Sequence, residues 1–275
     1  MSHIYEALLQ LQRNGEQGVL VTVVEKEGSG PLPPGAKMLV YPDGRTIGTV
    51  GGGRLEQLAQ ERAAELLRTK RSMLVRYALF DERNVAEADE VTNMVCGGRV
   101  TLFYEYLTSG PHVYLFGGGH VGQALVRHLR DLPYFVTVID EREGTEGLTP
   151  GADRVIVTAY ETALQNIGVP EGSFFVIATP AHDADYLVLK AILSSHWQPR
   201  YIGLLASRAK SAKFVHDLRA ELGENLDLSA LYTPAGLDIG GTSADEIAIS
   251  IIAEMQALRY GRSDQKHLRA AATNP

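Results

Sequence analysis

Six short stretches combine residue types and spacings that could do chemistry. Cys96, the single cysteine, stands in NMVCGGRV, where Gly97 and Gly98 free the backbone beside it and Arg99 is near enough to favour the thiolate. A thiolate there would bind a soft metal centre or carry sulfur; the alternative is a small buried hydrophobe. Two strand-to-glycine-to-helix junctions follow a different logic. In VYLFGGGHVGQALVRHL, Gly117, Gly119 and Gly122 have the GxGxxG spacing, with Gly118 and His120 among them. The first glycine permits a tight turn, the second lets backbone approach a phosphate, and the third allows close helix packing. In GTVGGGRLE, Gly51, Gly52 and Gly53 permit a nest of backbone N–H groups, and Arg54 adds positive charge beside it. An oxyanion or phosphate suits such a nest; a flexible hairpin exit is the other reading.

The remaining stretches lie nearby in the pattern. Asp140 ends FVTVID, where a carboxylate can accept from a ribose 2′-hydroxyl and repel a 2′-phosphate, which favours NAD over NADP. In FFVIATPAHDADYLVL, His182, Asp183 and Asp185 follow a strand's carboxyl end, where open α/β sheets gather ligands. His182 with Asp185 could form an acid–base or metal pair, or cap a helix. In YIGLLASRAKSAKF, Ser207 is the expected helix cap, which leaves Arg208 and Lys210 in the first turn, where the macrodipole disfavours cations. An anionic partner would relieve that conflict, and so would plain solvation.

These residues need elements to hold them. MSHIYEALLQLQRNGEQ reads as an amphipathic helix with Ile4, Leu8 and Leu11 on one face. The apolar run 18–25 reads as a doubly covered strand, the loop 27–35 stops it, and Pro42-Asp43-Gly44 joins two short strands into a hairpin. A helix from Arg54 and the strands within SMLVRYALF and VTLFYEYL complete a first α/β unit. Residues 108–111 read as a linker. Strands at 112–116, 135–139, 155–157, 174–178 and 201–205 then alternate with helices, the signature of a parallel sheet built from βαβ units. A last helix opens with the capping box Ser243-Ala244-Asp245-Glu246 and carries Ile247, Ile251, Ile252 and Met255 on one stripe. The expected fold is α/β: a smaller N-terminal α/β domain over 1–107, a Rossmann-like doubly wound domain over 112–260, and a flexible tail over 261–275.

Composition limits the functions. The chain of 275 residues has 45% hydrophobic and 21% charged residues, enough to bury cores without staples. With 26 Lys+Arg against 33 Asp+Glu the net charge is −7, which argues against a general nucleic-acid binder. One cysteine excludes an intramolecular disulfide framework or a multi-cysteine metal site within the chain and suits a reducing compartment. With no membrane-length apolar run and no signal-peptide pattern, the expected location is cytoplasmic.

Seven segments in order, GSGPLPPGAKMLV, GTVGGGRLE, CGG at 96–98, LFGGGHVG, VIDER, YIGLLASRAKSAKF and GLDIGGTSADEIAISIIAEM, resemble the XdhC/CoxI family. Its members are accessory proteins that mature xanthine dehydrogenase and related molybdenum hydroxylases. The likeness covers most of the chain and is more specific than one GxGxxG. It implies a homodimeric chaperone rather than a turnover enzyme. Such a protein binds molybdenum cofactor (molybdopterin), holds it while a cysteine desulfurase supplies the terminal sulfur, and inserts it into the apo-hydroxylase. The glycine-bared amides of both junctions would then clasp the pterin phosphate, with Cys96 toward the soft, sulfur-held metal. Cys96 is the expected molybdenum or sulfur contact. The expected cofactor-binding set also includes Gly97, Gly98, Gly51, Gly52, Gly53, Arg54, Gly117, Gly118, Gly119, His120, Gly122, Asp140, His182, Asp185, Ser207, Arg208 and Lys210. The sequence departs from the family pattern at Leu32, where a basic residue is common, and at Arg54, often a cysteine, so a two-cysteine mechanism is excluded. One histidine of the TPAHDAD loop is also replaced, leaving His182. The competing reading is an NAD-dependent oxidoreductase acting on a small molecule, based on Gly117, Gly119, Gly122 and Asp140. It lacks a substrate-orienting constellation beside His120 and His182. A protein-interaction adaptor would need no ligand at either junction.

Overall fold

A computed structural model describes residues 2–28, 32–79, 90–91 and 98–262. The chain divides into two compact units, Met1–Ser109 and Gly110–Pro275. The N-terminal unit consists of α1 (Ser2–Arg13), β1 (Gln17–Gly28), β2 (Lys37–Val40), β3 (Thr46–Gly48), α2 (Gly53–Thr69), β4 (Met73–Ala78), β5 (Glu90–Val91) and β6 (Gly98–Thr108). Its sheet runs β3-β2-β1-β6-β4-β5 and is antiparallel except for the β4–β5 pair. The apolar periods explain the layering. Val19, Val21 and Val23 face Leu55, Ala59, Ala63 and Leu66 of α2, while Leu20, Leu39 and Tyr41 face Ile4, Ala7 and Leu11 of α1.

The doubly covered strand expected over 18–25 is covered on both faces only in its first half. Val24 is 48% exposed, and β1 continues to Gly28 as a ribbon with β6, ending on the pair Gly28↔Gly98. The two helices reach no further along it, so the apolar run overstates the cover.

The C-terminal unit follows the βαβ expectation. It contains β7 (His112–Phe116), α3 (His120–Leu129), β8 (Phe135–Asp140), α4 (Thr145–Leu148), β9 (Arg154–Val157) and α5 (Tyr160–Asn166). The second half is β10 (Phe174–Ile177), α6 (His182–Ser194), β11 (Tyr201–Leu204), α7 (Arg208–Leu222), β12 (Leu231–Tyr232) and α8 (Ala244–Arg259). All strands are parallel in the order β12-β11-β10-β7-β8-β9. The chain winds outward from β7 to β9, returns, and winds the other way from β10. The reversal lies between β7 and β10, the place where such sheets open a ligand crevice at their carboxyl ends. Apolar residues of α3 and α8 cover one face, and those of α5, α6 and α7 the other, so the inner strands are buried on both sides.

The GLDIGGTSADEIAISIIAEM segment serves this fold. Ser243 and Glu246 close the capping box of α8. Glu254, nearly buried, accepts from Tyr201 Oη at 2.7 Å and from Gly236 N at 2.8 Å, tying α8 to β11. Burial first, and then the Glu254 carboxylate, push the Tyr201 phenol well above its ordinary pKa, so it stays a donor. Among the described residues no helix is long and apolar enough to cross a membrane.

Candidate functional site

The three glycines of GxGxxG do different work. Gly117 has φ +110°, and a Cβ there would lie 2.2 Å from Ala178 O. A Cβ on Gly122 would lie 2.1 Å from Gly117 O. Both are required by the fold, one for the turn and one for helix approach. Gly119 differs: its φ is −73°, open to any residue, and a Cβ would meet nothing within 4 Å. Gly119 is therefore the glycine whose bareness faces open space. It is also the N-cap of α3, without a side-chain cap hydrogen bond, so the first amides of that helix have no intrahelical acceptor. By contrast, α7 and α8 are capped by Ser207 and Ser243.

Gly118 is internal. Its N–H donates to Asp140 Oδ2 at 2.6 Å, and a Cβ would lie 2.6 Å from Thr145 Cγ2. Asp140 is buried and its carboxylate is fully engaged. Oδ1 accepts from Arg142 N and Nε, both at 2.9 Å, and Oδ2 also accepts from Arg142 Nη2 at 2.7 Å. Burial opposes its ionisation, but the Arg142 side chain and the Arg142 and Gly118 amides outweigh it and hold the carboxyl below its ordinary range. The sequence assigned this carboxylate to a ribose hydroxyl. In the structure it anchors the glycine turn instead, because Arg142 two residues on folds back over it.

Tyr160, at the head of α5, is 2% exposed with its ring against Phe116, and among the described residues its hydroxyl has no hydrogen-bond partner. Burial first, then Asp140, Glu141 and Asp185, raise its pKa against the opposing Arg142, so the phenol remains a donor. The hydroxyl oxygen itself is not sealed from solvent, so it is open to an acceptor from outside.

Beyond β10 the pattern is structural. Asp185, 2% exposed, accepts from Thr179 N at 3.0 Å, Thr179 Oγ1 at 2.6 Å and Lys210 Nζ at 2.6 Å. This ion pair pins α6 and α7 to the end of β10. The first-turn lysine is thus relieved by an internal carboxylate. His182 is exposed and makes no pair with Asp185, and among the described residues no group of three or more His, Cys, Asp or Glu could hold a metal. Ser207 caps α7 through Lys210 N at 3.3 Å, as expected. Arg208 is exposed and lines a groove on another face of α7.

In the N-terminal unit Gly51, Gly52 and Gly53 all have positive φ, whereas a nest alternates right- and left-handed residues, so the run forms a glycine turn instead. Two of its three amides are already used. Gly51 N donates to Thr49 Oγ1 at 3.1 Å, Gly52 N donates to Glu56 Oε2 at 3.1 Å, and Thr49 Oγ1 donates to the same carboxylate. An external oxyanion would have to displace Glu56. Arg54 is exposed and lies 3.7 Å from Glu61. Cys96 and Gly97 lie outside the described residues. Gly98 is buried at the start of β6, where its carbonyl accepts from Leu79 N at 2.8 Å. Sequence reasoning missed Glu56, Arg142 and Tyr160. Glu56 had a signal, an acid in the first turn after three glycines; the other two had none.

A parallel sheet wound both ways from β7, with a glycine turn and an uncapped helix beside its reversal, defines a Rossmann-like unit, here following an antiparallel unit. Residues 113–255 match the XdhC Rossmann domain and residues 11–78 match the XdhC and CoxI family. The chain belongs to the XdhC/CoxI family. It is 27% identical over 256 residues to the uncharacterized protein YqeB of Escherichia coli, covering 92% of this chain and 46% of YqeB, so it spans about half of that relative. It is 23% identical to a probable xanthine dehydrogenase subunit from Bacillus subtilis, covering 93% of this chain and 97% of that protein. Over 98 residues it is 37% identical to the molybdenum cofactor insertion chaperone PaoD of E. coli, covering 35% of this chain and 28% of PaoD. The fold is shared with a crystal structure of a xanthine dehydrogenase from Bacillus halodurans, with a TM-score of 0.50, 20% identity and coverage of 98% and 97% of the two chains.

Proposed function

We propose that this protein binds molybdenum cofactor and delivers it to xanthine dehydrogenase or a related molybdenum hydroxylase, acting as a chaperone rather than a turnover enzyme. The names of its relatives support the role. The observation that carries it to particular atoms is the bare, uncapped start of α3 at Gly119, together with the unpartnered Tyr160 hydroxyl. The cofactor, when bound, supplies a terminal phosphate and a metal held by soft sulfur. The amides of Gly119, His120 and Val121 suit the phosphate, since a helix start offers N–H groups and positive potential to an anion. Tyr160 adds a neutral donor that stays protonated. Cys96 is the proposed thiol contact to the metal or its incoming sulfur, and a homodimer and a cysteine desulfurase partner belong to the same proposal.

The test is a titration with molybdenum cofactor, comparing wild type, Gly119→Ala and Cys96→Ala, followed by transfer to apo-hydroxylase. Weaker binding by the first and impaired holding or transfer by the second are expected. Unchanged affinity and delivery in both would reject the assignment. An NAD ribose at this strand end would have to displace Gly118 or Arg142 from Asp140, whose oxygens accept from both.

A further inference from the structure

The α7 helix treats its basic residues in two ways. Lys210 is paired with Asp185, and Lys213 with Asp217 one turn on. On another face Arg208, His216 and Arg219 have no ion pair or side-chain hydrogen bond among the described residues. They line a groove of about 630 Å³, with Ala212 and Val215 between them and Pro234 beside them. Glu224 is the one acid among the described residues of the lining. In a chain of net charge −7, an unpaired basic row runs against the overall composition.

The spacing selects the partner. Residues 208, 212, 215 and 219 fall on one helical stripe, so the two arginines stand roughly 16 Å apart at about 1.5 Å per residue. One phosphate cannot neutralise both in ion-pair contact. Among the described residues no Phe, Tyr or Trp lines the groove, so it lacks the broad stacking platforms of single-stranded nucleic-acid sites. The stripe reads cation, small, apolar, cation. An acidic amphipathic segment matches it, with an apolar seam against Ala212 and Val215 and carboxylates at either end. A carboxylate at the Arg208 end also meets the positive end of α7, where Arg208 itself is disfavoured.

We propose that the α7 groove is a docking surface for an acidic, amphipathic segment of a partner protein. The inference does not depend on the cofactor reading. The probe is a labelled synthetic helical peptide with two glutamate pairs three turns apart around an apolar seam, measured by fluorescence anisotropy with the full-length protein. A second peptide of the same composition gathers its carboxylates at one end. Inorganic pyrophosphate and a single-stranded oligonucleotide serve as competitors. The patterned peptide is expected to bind about tenfold tighter than the gathered one, and Arg219→Glu to weaken it about tenfold, with binding falling steeply as salt rises. Lys213→Glu, on a different face, should leave affinity unchanged. Equal binding of the two peptides, insensitivity to Arg219→Glu, or tighter binding of pyrophosphate or the oligonucleotide would overturn it. Arg219 is exposed, and unchanged thermal unfolding of the variant checks that the fold is intact.

Discussion

Replacing Gly119 by alanine separates a glycine kept for a guest from glycines kept for the fold. At φ −73° the backbone accepts alanine, and the added Cβ meets nothing within 4 Å. Alanine is a poorer N-cap than glycine by something under about 1 kcal/mol, and it reduces the entropy of the unfolded chain by a similar amount, so stability should change by less than about 0.5 kcal/mol. The same substitution at Gly117 meets Ala178 O at 2.2 Å and a φ of +110°, and at Gly122 it meets Gly117 O at 2.1 Å; either should cost several kcal/mol. Binding should show the reverse contrast. Loss of one hydrogen bond to a charged group is worth about 1.5–3 kcal/mol, so Gly119→Ala should raise the Kd for molybdenum cofactor roughly 10- to 100-fold. Urea unfolding measures the first quantity and calorimetric titration the second. A Gly119→Ala protein of native stability and native affinity would refute the reasoning, because the open space at Gly119 would then serve no ligand.

Three further outcomes follow from the same geometry. Tyr160→Phe removes a hydroxyl that bonds no other described residue, so unfolding should move by less than about 0.5 kcal/mol while cofactor affinity drops about tenfold in the same titration. Asp185→Asn leaves Lys210, whose side chain is 14% exposed, beside a neutral group, and should cost about 3–5 kcal/mol in urea; Asp185→Leu with Lys210→Met should restore most of it. In the native chain the depressed Asp140 pKa gives stability that is fully present above its ordinary value near 4 and is lost as pH falls through the lower folded value. Arg142→Gln raises that folded value toward or above the ordinary one while burial remains, so it should cost stability near pH 7 and flatten the loss on acidification, read from urea midpoints across roughly pH 3 to 7.

Where a feature depended on neighbours in sequence, it was legible. The hairpin at Pro42-Asp43-Gly44, the Ser243 capping box and the GxGxxG turn are local, and each glycine, cap or turn residue acts within a few positions of itself. The alternating strands and helices of the second unit read directly as a parallel sheet, because double burial leaves continuous apolar runs. Side-chain commitments were less visible. Asp140 stands at the expected strand end, yet only the fold-back of Arg142 decides that its oxygens face inward. Lys210 meets Asp185 across 25 residues, a pairing no periodicity encodes. Tyr160 looked like any helix-opening residue, since the lack of a partner for a hydroxyl is a property of packing rather than of spacing.

The Glu56 carboxylate, resting on the Gly52 amide, behaves as a tethered rival to any anion arriving at that junction. A rival on the same chain is present at an effective concentration on the order of millimolar, whatever the dilution of the protein. An incoming group must therefore exchange with it rather than fill a void, which lowers occupancy and hastens departure. Once the visitor leaves, the turn closes on its own acid without help from solvent or a second protein.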